Sequence, residues 1–253
     1  AGDKLVSESL KLVLNSSFGK FGSHYSFLYS PELLIQTTLT GQLSLLMLIE
    51  MFALANIPTV SANTDGVVVR HTKNDKRVVS EWERRTGMTL EWTPYDAIYS
   101  ESVNSYVAIK PDGSAKLKGT YAPASIGKGY QNEICVDAIV AYLSRGTPLR
   151  DTIDSCTDAT KFLTMRGIRA GGVWRGQDVG RVARWYVSTD GEEIRYRSNG
   201  NKVAGSDDAR PMMTLGDIPD DLDKGWYVKR AQALLNKLGV KYELLQIASN
   251  KSQ

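Results

Sequence analysis

Cysteine and histidine are scarce in this chain of 253 residues, with two of each. Cys135 and Cys156 are too few for a disulfide framework, and no Cys/His spacing suits a zinc site, so a reducing, cytoplasmic compartment is expected. His24 and His71 sit in no metal-binding or nucleophile-activating pattern and are expected as surface or capping residues. No secretory signal and no spanning segment is read in the sequence. Its longest apolar stretch, "LTGQLSLLMLIEMFALANI", is interrupted by Gln42 and Glu50 and reads as a buried core helix. No Ser-His-Asp, Cys-His or Walker-type pattern occurs. The run "GIRAGG" does not lead from a strand into a helix, as a dinucleotide fingerprint requires. Neither sign of charge dominates: the formal net charge of +3 permits a polyanionic partner without demanding one.

What remains is an ordinary globular composition, 42% apolar and 23% charged, long enough for one large domain or two smaller ones. Residues 4–18 read as a helix, with Val6, Leu10, Val13 and Ser17 on one face and Lys11, Asn15 and Phe18 on a neighbouring one. After the glycine-punctuated "FGKFGSHYS", Ser30 before Pro31 is a helix N-cap signal, and a long helix is expected over about 38–56. A hairpin follows over 59–71, with Asp65-Gly66 as its turn and Val60, Val67, Val68 and Val69 anchoring its strands. An amphipathic helix is expected over 75–86, then strands around a Pro-Asp-Gly turn at 111–113. The composition turns small and polar at 122–132. Helices are expected over 132–144 and in "DKGWYVKRAQALLNKLGV" near the end, with a frayed tail, "SNKSQ". Between these helices lies a basic, glycine- and aromatic-rich segment over 161–202.

Two segments stand out, "KLVLNSSFGKFG" (11–22) and "NTDG" (63–66). Alone, Asp65 reads as a plain type I′ turn residue or as a carboxylate held at a hairpin tip for metal, and Lys11 and Phe18 as a solvated lysine and a core ring. Together the segments resemble family B DNA polymerases. That family carries Lys-x-x-x-Asn-Ser-x-Tyr-Gly on a helix and, further on, an Asp-Thr-Asp hairpin. Lys11, Asn15, Ser16 and Gly19 match the first pattern, with Phe18 where Tyr is usual. Thr64 and Asp65 match the second, with Asn63 where the first Asp is usual. "KLKG" (116–119) sits where the family has a lysine-rich strand ending in Gly. Later stretches such as "GNKVAGSDDARPM" resemble phage and plasmid-borne members.

The resemblance implies an α+β fold: a palm-like antiparallel sheet with packed helices, then a mainly helical thumb-like region. It divides the chain into 1–58, 59–125 and 126–253. It implies template-directed nucleotidyl transfer with two Mg²⁺ ions, or Mn²⁺, for which hard carboxylate oxygens are the suitable ligands. Asp65 is then the catalytic metal ligand. Lys11, Asn15, Phe18 and Thr64 bind the incoming deoxynucleoside triphosphate. Lys116, Lys118 and Gly119, with Arg166, Arg169, Arg175, Arg181 and Arg184, hold primer–template DNA through its phosphates. The family's other catalytic Asp, in an Asp-x-x-Ser-Leu-Tyr-Pro-like strand before the Lys11 helix, has no counterpart here, nor has the exonuclease domain. The expectation is therefore a C-terminal half, inactive alone, that works with an N-terminal polymerase/exonuclease half. No membrane is implied, and a phage-encoded chain would act in the host cytoplasm. The alternatives are a non-catalytic DNA-binding or assembly subunit derived from such a polymerase, and a reverse-transcriptase-like palm. The Lys-x-x-x-Asn-Ser helix does not belong to the last.

Overall fold

The computed structural model describes residues 3–123, 131–212, 214 and 216–242. The chain forms two compact units, Ala1–Trp92 and Thr93–Gln253.

The first unit opens with α1 (Lys4–Lys20), capped by Asp3, whose carboxylate accepts from Leu5 N–H at 3.0 Å. After a loop, α2 (Pro31–Leu54) begins at the Ser30-Pro31 signal, several residues earlier than the apolar run alone suggested. A hairpin of β1 (Thr59–Asn63) and β2 (Gly66–Val69) follows, then α3 (Asp75–Thr86), which ends at Gly87 in the left-handed conformation. Leu48, Phe52, Ile57, Val78, Val79 and Trp82 form the core, with Val67 and Val69 packed on it. Trp82 Nε1 donates to the Ser44 carbonyl at 2.8 Å, tying α3 to α2.

Two expectations for this unit change. The apolar faces of α1 are not buried, for Leu5, Val6, Leu10, Leu12, Val13 and Leu14 are all exposed. Nor is α2 a buried core helix: Leu48 and Phe52 are its fully buried residues, while Leu33, Ile35, Leu39, Leu43, Leu46 and Leu54 face solvent. By length and composition α2 is long and apolar enough to cross a membrane, yet in the structure it packs on α3 and the hairpin. Val60 is also exposed and anchors nothing.

The second unit holds two antiparallel sheets. In one, β3 (Ala97–Ser102), β4 (Ser105–Ile109) and β5 (Ala115–Lys118) run in sequence order. The strand expected before the Pro-Asp-Gly turn, over 97–110, is thus a hairpin of its own. Helices α4 (Glu133–Arg145) and α5 (Leu149–Ser155) follow. The second sheet, ordered β8-β6-β7-β9, is built on the long pair β6 (Thr164–Trp174) and β7 (Gln177–Glu192), flanked by β8 (Arg195–Tyr196) and β9 (Ala209–Pro211). Helix α6 (Lys224–Lys237) closes the unit. The α+β class stands, but the region after residue 126 carries this four-stranded sheet beside its helices rather than being mainly helical.

The main core joins Val107, Ile109 and Tyr121 to Ile134, Ala138, Leu149, Phe162, Tyr227 and Leu235, so it includes residues on both sides of the composition change at 122–132. Tyr121 Oη donates to the Leu234 carbonyl at 3.1 Å. Tyr227 is wholly buried; its hydroxyl donates to the Phe162 carbonyl at 2.8 Å and accepts from Val187 N–H at 2.9 Å. A smaller core of Ile168, Val179, Ala183, Trp185, Ile194 and Val203 lies against the second sheet. Trp185 is therefore a core residue.

Candidate catalytic and nucleic-acid-binding sites

Pairing of Asn63 with Gly66 makes Thr64 and Asp65 the two turn residues, one position earlier than the Asp-Gly signal suggested. Thr64 has φ +39°, and it alone of the two takes a positive φ, so the turn is not type I′. A β-branched residue there is strained, by roughly 1–3 kcal/mol. Its hydroxyl donates to Asn63 Oδ1 at 2.9 Å. Asp65 is exposed at the tip, with no hydrogen bond or ion pair from any described residue. The turn is what presents the carboxylate.

Lys11, Asn15 and Phe18 recur along α1 on one exposed strip, as their spacing predicts, and the Phe18 ring meets Phe21 edge to face at 6.2 Å. Phe18 and Thr64 line the same concavity, of about 470 Å³, whose floor is the α2 stripe Thr37, Thr38, Gly41, Gln42, Leu45, Leu46 and Ile49. One residue of each motif thus lines this cavity within the first unit, while Lys11, Asn15 and Asp65 are not part of its lining. The α2 stripe was not anticipated. Thr37, Thr38 and Gln42 lie among several other polar residues of the helix, so spacing alone does not single them out. Among the described residues no group of three or more His, Cys, Asp or Glu could hold a metal ion. Asp65 offers one carboxylate, so the described residues do not make a two-ion centre by themselves.

In the second unit, Lys116 and Lys118 stand opposite Ala108 and Tyr106 on one face of their sheet, while Leu117 and Val107 turn to the core. Gly119 has a packing role independent of any ligand. Its φ is +62°, and a Cβ would lie 2.4 Å from the Asn104 carbonyl oxygen. The strand end is seated against the turn joining β3 to β4, where Thr120 N–H also donates to Ser105 Oγ at 3.1 Å.

The five candidate arginines separate into two kinds. Arg175 sits at the β6–β7 turn, where it and Gly176 both have positive φ, as a type I′ hairpin requires. Its guanidinium is engaged by Asp190 at 3.2 Å and Glu192 at 2.8 Å and lies 4.8 Å from the Trp174 ring centre. These partners raise its pKa further: hydrogen bonding to Asp190 acts most, opposed by desolvation, with Glu192 adding. Arg175 is thus a turn clamp. Arg195 pairs with Glu193, Arg197 with Asp178 and Lys202 with Asp207. Arg166, Arg169, Arg181 and Arg184, by contrast, are exposed and meet no acid among the described residues. They do not form one patch. Arg166 pairs with Ala183 across the ladder and shares its face, as does Arg181. Arg184, opposite Met165, lies on the other face, and Arg169 falls in the stretch between Gly167 and Gly172 where the register shifts.

Comparison with solved structures gives a likeness of fold to the family B DNA polymerase from the hyperthermophilic archaeon Pyrobaculum calidifontis. The TM-score is 0.58 and the identity 15%, over 94% of this chain and 34% of that one. The chain therefore spans about a third of that polymerase's length. No protein-family model matches the sequence, and no curated protein does.

Proposed function

We propose that this polymerase-like chain is the C-terminal part of a family B DNA-directed DNA polymerase, of the phage or plasmid type, acting by two-metal nucleotidyl transfer. The observation that carries the reading is the cavity shared by Phe18 and Thr64, one residue from each of two motifs far apart in sequence. In this reading Lys11 meets the triphosphate of the incoming nucleotide, while Asn15, Phe18 and Thr64 shape the pocket for the nascent base pair. Phe18 keeps the flat ring of the usual tyrosine and lacks its hydroxyl. Asp65 would supply one carboxylate to a Mg²⁺ or Mn²⁺ centre, and such a centre would supply positive charge against that developing on the transferred phosphoryl group. The other carboxylates come from an N-terminal polymerase/exonuclease polypeptide. The exposed apolar residues of α1 and α2 support such a partner, since helices with this much bare apolar surface gain by being covered. Lys116, Lys118 and the acid-free arginines position the duplex through its backbone.

Primer extension tests the reading. The purified chain with Mg²⁺, primer–template and nucleotides is expected to be inactive, and to gain activity when mixed with an exonuclease-plus-palm polypeptide. Asp65→Ala is expected to abolish that activity. Extension by the isolated chain, or by the Asp65→Ala assembly, would overturn it. A second reading, a non-catalytic DNA-binding or assembly subunit, is favoured by Asn63 and by the lack, among the described residues, of any group of three or more side chains that could hold a metal ion. Under that reading DNA binding persists and no mixture extends a primer.

A further inference from the structure

The loop between α1 and α2, residues 21–30, has no part in the reading above. It is a folded element. Ser30 N–H closes its base on the Phe21 carbonyl at 3.0 Å, and successive turns run from Ser23 to Lys20 (3.2 Å), Ser26 to Ser23 (2.9 Å) and Tyr29 to Ser26 (3.0 Å). Leu28 N–H donates to Ser26 Oγ at 3.1 Å, and the His24 and Tyr29 rings lie 4.4 Å apart. Yet this ordered loop holds two rings entirely in solvent, with Tyr25 at 102% and Phe27 at 110% of full exposure.

One exposed aromatic residue needs no explanation, since apolar atoms make up much of any protein surface. Two at alternate positions on a preformed loop are different, because holding them in water gains the fold nothing. Their electrostatic setting narrows the ligand. From Ser9 to Pro31 the sequence has no acidic residue, while Lys11 and Lys20 supply positive charge. Flat exposed rings on a loop flanked in sequence by lysines and containing no acid suit a ligand with π faces and a phosphate backbone, which is single-stranded nucleic acid.

We propose that Tyr25 and Phe27 are a stacking platform for unpaired bases of a nucleic-acid strand. In the polymerase reading, on which the strand's identity rests, that strand is the template beyond the primed duplex. The intact chain is titrated with a fluorescent twelve-nucleotide oligo(dT) and, separately, with a hairpin duplex. The double variant Y25L/F27L keeps apolar bulk and removes both π faces; Y25F/F27Y keeps the rings. Y25L/F27L is expected to weaken oligo(dT) binding by roughly ten-fold per ring, leave duplex binding unchanged, and be rescued by Y25F/F27Y. A 5-iodouracil oligonucleotide is expected to crosslink at residues 25 and 27. Unchanged oligo(dT) affinity in Y25L/F27L, or a loss equal on both probes, overturns the proposal. So does a loss with Y25A/F27A that leucine restores, which would mark a protein-docking loop. If wild-type chain binds neither probe, the polymerase reading fails with it. If duplex binding persists and only the loop variants are silent, the loop proposal alone fails.

Discussion

In the proposed reading, the division of the arginines into clamped and acid-free residues predicts how duplex binding would respond to salt. Arg169 and Arg184 are exposed and meet no acid among the described residues, whereas Arg175 is held by Asp190 and Glu192. A cation that displaces counterions from B-form DNA contributes about 0.9 to the slope of log K against log salt. Replacing both free residues, as Arg169→Gln/Arg184→Gln, should therefore lower the slope by about 1.8. Between 50 and 200 mM salt each lost contact is worth roughly 3.5-fold, so the affinity span across that range should shrink about 12-fold. Glutamine keeps most of each stem in place, which limits loss of packing. Arg175→Gln is the internal control, expected to leave the slope within error. The assay is fluorescence anisotropy on a hairpin duplex at four or five salt concentrations, with far-UV circular dichroism to confirm folding. A slope unchanged in the double variant, or lowered as much by Arg175→Gln, would refute the reasoning.

Three further outcomes concern the frame that holds these sites. Tyr227→Phe strands the Phe162 carbonyl and Val187 N–H without their partner, at a cost of about 2–4 kcal/mol. With a urea slope near 2 kcal/mol/M, the unfolding midpoint should fall by about 1–2 M, and no measurable fall would show that the buried hydroxyl is dispensable. Gly119→Ala should destabilise the chain by about 2 kcal/mol or more in thermal melts, because it combines positive φ with a backbone clash. Gly113→Ala, with positive φ and open space, should cost distinctly less. Asp221 is buried enough to raise its pKa, but hydrogen bonds donated by Ser188, Tyr186 and Arg210 outweigh this and depress it. A carboxylate depressed on folding contributes stability above its unfolded pKa, near 4, and loses that contribution as pH falls through the lower folded value. The wild type should thus lose stability below about pH 4, and Asp221→Asn should flatten that loss while being less stable at pH 7. An identical acid profile in the variant would exclude Asp221 as a contributor.

Local signals in the sequence were reliable where the chemistry is local. The Ser30-Pro31 cap, the α3 span and the Pro-Asp-Gly turn all needed only short-range physics, and all are present. The Asp-Gly signal pointed to the right hairpin but the wrong pair of residues, because cross-strand register, set by Asn63 meeting Gly66, overrides dipeptide preference. The long β6–β7 pair was hidden by glycines at 167, 171, 172, 176 and 180, which break the strand pattern while serving bulges and a turn. Gly172 is confined by Ile168 and Val179, a constraint that exists only once the sheet is formed. Periodicity located the apolar side of α1 but could not say whether anything lies against it. At the candidate site, the α1 strip and Asp65 could be read from spacing, whereas the α2 floor of the cavity could not. Separating clamped from acid-free arginines required knowing which acids the ladder brings near.

The Tyr121 hydroxyl reaches Leu234, and a common core joins the lysine-bearing sheet to α4, α5 and α6. Shared side-chain burial therefore fastens that sheet to the helices. The sheet and the helices should accordingly unfold in one cooperative transition, although they lie on either side of the composition change.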